Sequence, residues 1–553
     1  AARRRGWDPT RLALPEMTRF MHDYHDLGLH GSSAAVSSFA DEVASRPRRT
    51  ILRTMIDAVR GALAAGDAER AVYLLRRNWL RLILESRTSE LEELCVAVPH
   101  PHGTELLLIR ACCRDLAGDP HGATFLRGQG QRQAAGMTAG DDDFVSCFTN
   151  LLLAPDGPSK AAFADRARQG LAECDPEDDY PSALFLVGWT EIRLRRNFPE
   201  AIALLRAASD EARLQSRAST FRLAQSNLAF ALGHAGAFSE AERILDELPA
   251  QAPDNATDWD RFEGGLPQAL RGSIAFWRGD FEAAVAHLDA VVDSAGPGAN
   301  FEAQSRLYLV LSLIALRRTD RYREAAEMIQ GVSSTDKHGI PWDTLRRVVA
   351  AWLADAEGQP DRARSIATPT LERPGVPVAH ALLAELYVRL GEPDLARKAL
   401  ALVTASASPV YAQVSTLVTS AALSSAAGRG VQAHEHLDRA LAMATPERIL
   451  TPFLSPETTV GDLLTAHAAR GSRHEALLLE VFRRRDQLAQ STADVLTARE
   501  REILGYLRTT LTADEIAAQL HVAYPTVKTH IRSIYRKLDV TTRREAIRVT
   551  HAP

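Results

Sequence analysis

The chain is expected to be all-α: a long body of stacked helix pairs, followed by a small four-helix domain containing a helix-turn-helix. Three observations carry this. A unit with a small alanine inside its second helix recurs through most of the chain. Capping sequences mark three helix starts within the last sixty residues. Aromatics make up only 6% of the 553 residues while Ala, Leu and Arg dominate, a composition that favours helix over sheet.

The repeat runs from about 50 to 444. Its clearest copies are NFPEAIALLRAA, GAFSEAERILDEL, GDFEAAVAHLDAVV, DRYREAAEMIQGV, GQPDRARSIA, GEPDLARKALALV and GRGVQAHEHLDRAL. The shared alanine falls at Ala201, Ala241, Ala284, Ala325, Ala363, Ala396 and Ala433, at intervals of 40, 43, 41, 38, 33 and 37. Ala71 takes the same role earlier, and Ala123 is a weaker instance. A side chain this small lets two antiparallel helices approach closely. Leu205, Leu245, Leu288, Ile329, Leu400 and Leu437 stand four residues later, on the same helix face. No single pair covers its own apolar surface, so the pairs must stack. The pattern resembles tetratricopeptide repeats with a longer period. It implies a curved, right-handed α-solenoid of about nine or ten helix pairs, whose concave face binds an effector.

Past 444, Pro446, Pro452 and Pro456 break the period and two more helices are expected. The polar stretch 486–495 reads as a linker. The C-terminal domain, 496–553, is denser in signals. Thr497 with Glu500, Thr512 with Glu515, and Thr542 with Glu545 form three capping boxes. A further helix runs from Pro525 to Leu538, only four residues after the one before it. Two helices joined by so short a turn make a helix-turn-helix, and the second is the reader of the major groove. Val527, Ile531, Ile534 and Leu538 form its apolar stripe, and Lys528, Thr529, Arg532 and Arg536 fall off that stripe. Residues 525–538 carry four basic side chains, with Lys537, and no acid. Such a face suits phosphates and base edges.

These residues, with Leu496-Thr497-Ala498-Arg499-Glu500, Glu515-Ile516-Ala517, Thr526-Val527-Lys528 and Lys537-Leu538, resemble the LuxR/FixJ-type DNA-binding domain. The resemblance implies base contacts from Lys528, Thr529 and Arg532. Phosphate contacts are expected at Thr526, Arg536 and Lys537. Dimerisation is expected through the fourth helix, at Glu545, Ala546 and Val549. Two positions depart from the family: Ala523 stands where it usually has Ser, and it usually has Gly near Thr510. The order of repeats, TPFL, linker and this domain also resembles the C-terminal half of the large ATP-binding, maltose-regulon-activator-like LuxR-family regulators.

Charge is uneven in the same sense. Residues 491–553 hold ten Lys/Arg and seven Asp/Glu, a net of +3; subtraction from 65 and 70 leaves 55 and 63, a net of −8, for 1–490. A basic tail domain on an acidic body fits a DNA reader attached to something that is not one. Cys95, Cys112, Cys113, Cys147 and Cys174 form no C-x-x-C and are expected as reduced thiols. His22, His25 and His30 in the N-terminal segment 1–49 are read as surface residues of a short helix, and no metal site is expected. Trp79, Trp189, Trp277 and Trp352 are read as core, with a pocket lining as the alternative. His434 and His436 point apart on their helix. No apolar run approaches a membrane span. No phosphate-binding G-x-x-x-x-G-K-[ST] occurs, so any NTPase domain precedes Ala1 or is not present.

The expectation is a cytoplasmic bacterial transcription regulator, not an enzyme, that uses no cofactor. Its partners are double-stranded DNA, bound as a homodimer, and a small-molecule or protein effector at the repeats, with RNA polymerase a candidate further contact. The rivals are a repeat scaffold for protein–protein interaction, and the C-terminal part of an ATP-dependent switch.

Overall fold

The computed structural model describes residues 53–99, 103–134, 144–171, 179–248, 259, 262, 264–294, 301–333, 340–373, 375–404, 408–455, 458–494, 498–509, 511–538 and 540–549. The N-terminal segment 1–49, Thr497 and Cys174 lie outside them. Helix dominates throughout. Three helices, ending with Thr88–Ala97, lead into ten antiparallel pairs, from Thr104–Leu116 with Pro120–Ala134 to Thr458–Ala469 with Glu475–Asp494.

The repeat alanines sit where the pattern requires. Ala71, Ala201, Ala241, Ala284, Ala325, Ala363, Ala396 and Ala433 have no exposed surface, and Ala123 is also buried. The side chains four residues later, Leu205, Leu245, Leu288, Ile329, Leu400 and Leu437, are buried with them. One continuous core runs from Ile56 to Val481. It includes Trp79, Trp189, Trp277 and Trp352, which are structural rather than a pocket lining. Cys95, Cys112, Cys113 and Cys147 are free thiols.

The first helix of most pairs ends in the same turn. At Gly236 and Gly279 the residue beyond the helix is left-handed, with φ of 96° and 73°, and its N–H and the next one return to the last carbonyls. Glycine adopts this conformation without the steric penalty a Cβ brings. Arg195 and Arg317 hold the same position with φ of 53° and 52°.

Distant parts of the solenoid meet. The Leu450 N–H donates to the Trp277 carbonyl over 2.9 Å. The Thr451 hydroxyl donates to the Phe276 carbonyl, 175 residues away, and Trp259 Nε1 donates to the Ile83 carbonyl, 176 residues away. The Tyr411 ring stacks on Trp277 with centroids 4.6 Å apart. Residues about 175 apart therefore touch, and one superhelical turn packs directly on the next. The curved solenoid expected from the repeats thus has direct contacts between pairs far apart in sequence. The polar stretch 486–495 is likewise not a free linker: the helix Glu475–Asp494 runs through nearly all of it. Its Gln, Leu and Ala residues are compatible with helix, and neither Gly nor Pro interrupts them.

Gly279 and Gly358 separate backbone strain from packing across this seam. Their φ angles are 73° and 74°, but a Cβ at Gly279 would lie 2.5 Å from Leu454 Cδ1, whereas one at Gly358 meets nothing within 4 Å. Gly358→Ala is expected to cost about 1 kcal/mol through the left-handed backbone. Gly279→Ala should cost about 1–2 kcal/mol more, because it also crowds the seam. Thermal denaturation of the two variants checks the difference, and equal losses would show that the seam yields freely.

Candidate nucleic-acid interface

The C-terminal domain has the four helices expected: Ala498–Leu507, Ala513–Gln519, Tyr524–Leu538 and Arg543–Val549. Its separate core contains Ile503, Leu504, Leu507, Ile516, Ala517, Leu520, Val527, Ile534, Leu538 and Ala546. The stripe of the third helix is in place, with Val527, Ile534 and Leu538 buried and Ile531 packed beside them.

Local capping explains where these helices start. Thr512 Oγ1 accepts from the Glu515 N–H, and a Glu515 carboxylate oxygen accepts from the Thr512 N–H over 2.7 Å. Glu545 makes the same exchange with Thr542 and also accepts from the Thr541 N–H. The backbone donors hold both carboxyls below the usual carboxylate range. Folded values below the unfolded one mean that this support is complete above the ordinary Glu pKa. It is lost only as pH falls through the depressed folded values, so both caps are intact at neutral pH. Glu500 differs. It is 3% exposed and accepts from Lys537 Nζ over 2.7 Å.

The turn between the second and third helices follows the same logic. His521 is left-handed at φ 51°, and the Val522 N–H returns to the Ala517 carbonyl. Ala523 offers no side-chain cap, and its carbonyl instead accepts from Thr526 and Val527. Arg499 ties the first helix to this turn through the Leu520 carbonyl. Arg543, which no capping or stripe pattern singled out, donates to the carbonyls of Leu507, Thr509 and Leu511 over 2.6–2.9 Å. It closes the loop after the first helix.

Thr526, Lys528, Thr529, Arg532 and Arg536 are exposed on the third helix. Lys528 Nζ lies 5.7 Å from the centre of the Tyr524 ring. The Thr529 hydroxyl donates to the Pro525 carbonyl, leaving its oxygen and methyl on the outside. Lys537 does not join this face: its ammonium is committed to Glu500 inside the domain. Of the residues expected to form a dimer contact, Ala546 is fully buried in the domain's own core, so it presents no surface to a partner. Glu545 is the cap just described, and Val549 ends the fourth helix. Elsewhere, His434 Nδ1 and His467 Nδ1 lie 3.4 Å apart, but among the described residues no group of three or more potential metal ligands forms. No described helix is long and apolar enough to cross a membrane.

Residues 494–550 match the model of bacterial regulatory proteins of the luxR family, and residues 356–421 match a tetratricopeptide repeat model. The C-terminal domain is thus a luxR-type helix-turn-helix, and the body carries tetratricopeptide repeats. An HTH-type transcriptional regulator MalT of Vibrio campbellii is 26% identical over 277 residues, 43% of this chain and 31% of that protein. A probable transcriptional regulatory protein NarL of Mycobacterium tuberculosis is 46% identical over 61 residues, 11% of this chain and 28% of that protein. The matched region thus spans under a third of either relative. Among solved structures, a chain of the APC/C hetero-tetramer Cut9-Hcn1 aligns over 94% of this chain and 92% of that one. The TM-score is 0.38 and the identity 15%, too low to bear on the superhelix.

The Lys537–Glu500 pair gives a direct check on the domain's internal electrostatics. Lys537→Met removes the ammonium from a buried carboxylate and is expected to lower the domain's stability by about 2–3 kcal/mol, discounted for the 23% exposure of Lys537. Adding Glu500→Gln should recover most of that loss, as measured by denaturant unfolding of the C-terminal domain.

Proposed function

We propose that this chain is a bacterial transcription regulator that binds double-stranded DNA as a homodimer through its C-terminal domain. The observation that carries this is the third helix. Its apolar stripe is sunk in the core, while Lys528, Thr529 and Arg532 stand exposed on the other side. In this reading those three contact base edges, and Thr526 and Arg536 contact phosphates. Lys537 acts instead by holding the helix against Glu500. The relatives named transcriptional regulators support the reading, as does the basic domain on an acidic body. Two-fold symmetry sets half-sites about ten base pairs apart. The repeat body senses an effector or partner, the chain works in the cytoplasm without catalysing a reaction, and RNA polymerase is a further partner of the DNA-bound form.

Body and domain touch at the end of the recognition helix. Arg317 Nη1 donates to the Leu538 carbonyl over 3.2 Å, at the last turn of the recognition helix. The same helix also packs against the helix Glu475–Asp494. An effector that shifts the body would bias this contact, and with it the share of DNA-competent molecules.

Genome-wide binding selection with the intact chain at stated salt tests the reading. A palindromic motif is expected, weakened by about 1–3 kcal/mol in Lys528→Ala and in Arg532→Ala. No enriched motif from folded protein would favour a scaffold instead. Arg317→Ala is expected to change DNA affinity without effector by about fivefold or more. Unchanged affinity would remove the docking contact from the mechanism.

A further inference from the structure

The turn after the helix Tyr180–Arg193 holds three arginines within four residues. Two are paired. Arg193 faces Asp156, and Arg196 holds Glu191 and Asp165. Arg195 is not. Its Nη1 meets His234 Nδ1 at 3.2 Å, its Nε is buried with no hydrogen-bond partner, and no carboxylate among the described residues lies within ion-pair distance. Its backbone is left-handed, at a turn position where Gly236, Gly279, Gly358, Gly391 and Gly428 avoid the strain. Arg317, at the same position, spends its side chain on Leu538. Strain kept at a non-glycine residue marks a side chain with a task.

The surroundings come from four separate pairs. Phe198 stacks on the His234 ring with centroids 4.4 Å apart, and the Arg195 guanidinium lies 5.6 Å from the centre of the Phe230 ring. Phe301 packs edge-on against Phe230 at 5.4 Å. The charge of the Arg195 guanidinium is disfavoured first by burial and is supported in part by the Tyr411 and Tyr308 phenols. Burial holds both phenols protonated, with Tyr308 pushed up to about 12, and holds His234 neutral beside the guanidinium. With Nδ1 accepting from Arg195, the His234 Nε2–H is free to donate. Tyr308 Oη accepts from Trp277 Nε1 and keeps its own proton to give. Arg195, Phe198, His234 and Phe301 retain partial exposure, so solvent reaches this space. A separate cleft of about 240 Å³, lined by Arg271, Arg278, Arg448 and Arg484, contrasts with it. There the arginines are matched by Asp246, Glu242, Glu480 and Asp280.

The geometry points to a binding site at Arg195 for a small carboxylate with an aromatic or apolar body. A guanidinium presents two parallel N–H groups that a carboxylate accepts together. His234 Nε2 adds a donor, and no carboxylate among the described residues lies within ion-pair distance of Arg195. One cation is balanced by one negative charge, so a monoanion fits where a phosphate dianion would leave charge unmatched in a poorly solvated space. The Phe198, Phe230 and Phe301 rings take the apolar body. The site joins helices from pairs on both sides of the superhelical seam, so filling it would stiffen that seam. This site rests on the effector-sensing reading above and gives the effector its chemical class.

Calorimetric titration of the full chain, without DNA, tests it with benzoate, neutral benzamide and inorganic phosphate as probes. Benzoate is expected to bind at one site, at least about tenfold tighter than benzamide or phosphate. Arg195→Met should weaken benzoate by about tenfold or more. It should not lower the thermal midpoint without anion, because it removes an unmatched cation from a crowded site. Arg195→Lys keeps the charge without the two parallel N–H groups and is expected to weaken benzoate severalfold at an unchanged midpoint, which decides the matter if Arg195→Met does not fold. Equal binding of benzoate and benzamide, no saturable binding of benzoate, or wild-type affinity in Arg195→Met would overturn the site. Tighter binding of phosphate would overturn the carboxylate assignment. Because no DNA is present, failure here leaves the DNA-binding reading standing, and loss of operator binding would leave this site standing.

Discussion

The zero-exposure alanine at the crossing of most helix pairs is the constraint on which the body depends. It brings two helices close enough for the leucine or isoleucine four residues on to be covered by the partner. Each pair still has apolar surface on both flanks, so it must be covered by the pair before and the pair after. Small rotations between pairs accumulate into a superhelix. About 175 residues later the chain meets itself, and the Trp277 and Phe276 carbonyls accept from Leu450 and Thr451. The body is therefore joined along a seam. Long-range contacts of this kind make distant repeats respond together, because a change at one pair is felt across the seam.

Helix ends carry the second layer of organisation. The recurring left-handed turn satisfies the last carbonyls of the first helix in a pair, and glycine reaches it most cheaply. Where arginine replaces glycine the side chain is used. Arg317 reaches the recognition helix, and Arg195 reaches His234 in a space walled by aromatics. Gly279 cannot be exchanged in the same way, since the seam leaves no room beside Leu454. The same turn thus serves as spacer, tether or ligand holder according to what faces it.

In the C-terminal domain, charge is divided between support and display. Lys537 with Glu500, and Arg543 with three carbonyls, hold the helices together from inside. Lys528, Arg532 and Arg536 remain on the surface for a polyanion. This division explains why a basic helix of four charges does not present all four. The residue nearest the core is drawn into it by the buried carboxylate of Glu500.

The sequence by itself determined the all-helical architecture, the repeat alanines, the Thr512–Glu515 and Thr542–Glu545 caps and the exposed face of Lys528, Thr529 and Arg532. All of these depend on spacings of three to five residues along one helix, or on a short period, and such spacings are visible in the chain. Only the tertiary structure decided that the solenoid contacts itself, that residues 486–494 are helix, that Lys537 and Ala546 turn inward, and that Arg195 stands without a carboxylate. These depend on which residues 30 to 200 positions away arrive as neighbours, and local periodicity carries no record of that. Arg195 left one trace in the sequence, an arginine at a turn where most neighbouring repeats have glycine; its meaning appeared only once His234 and Phe230 were seen to pack against it.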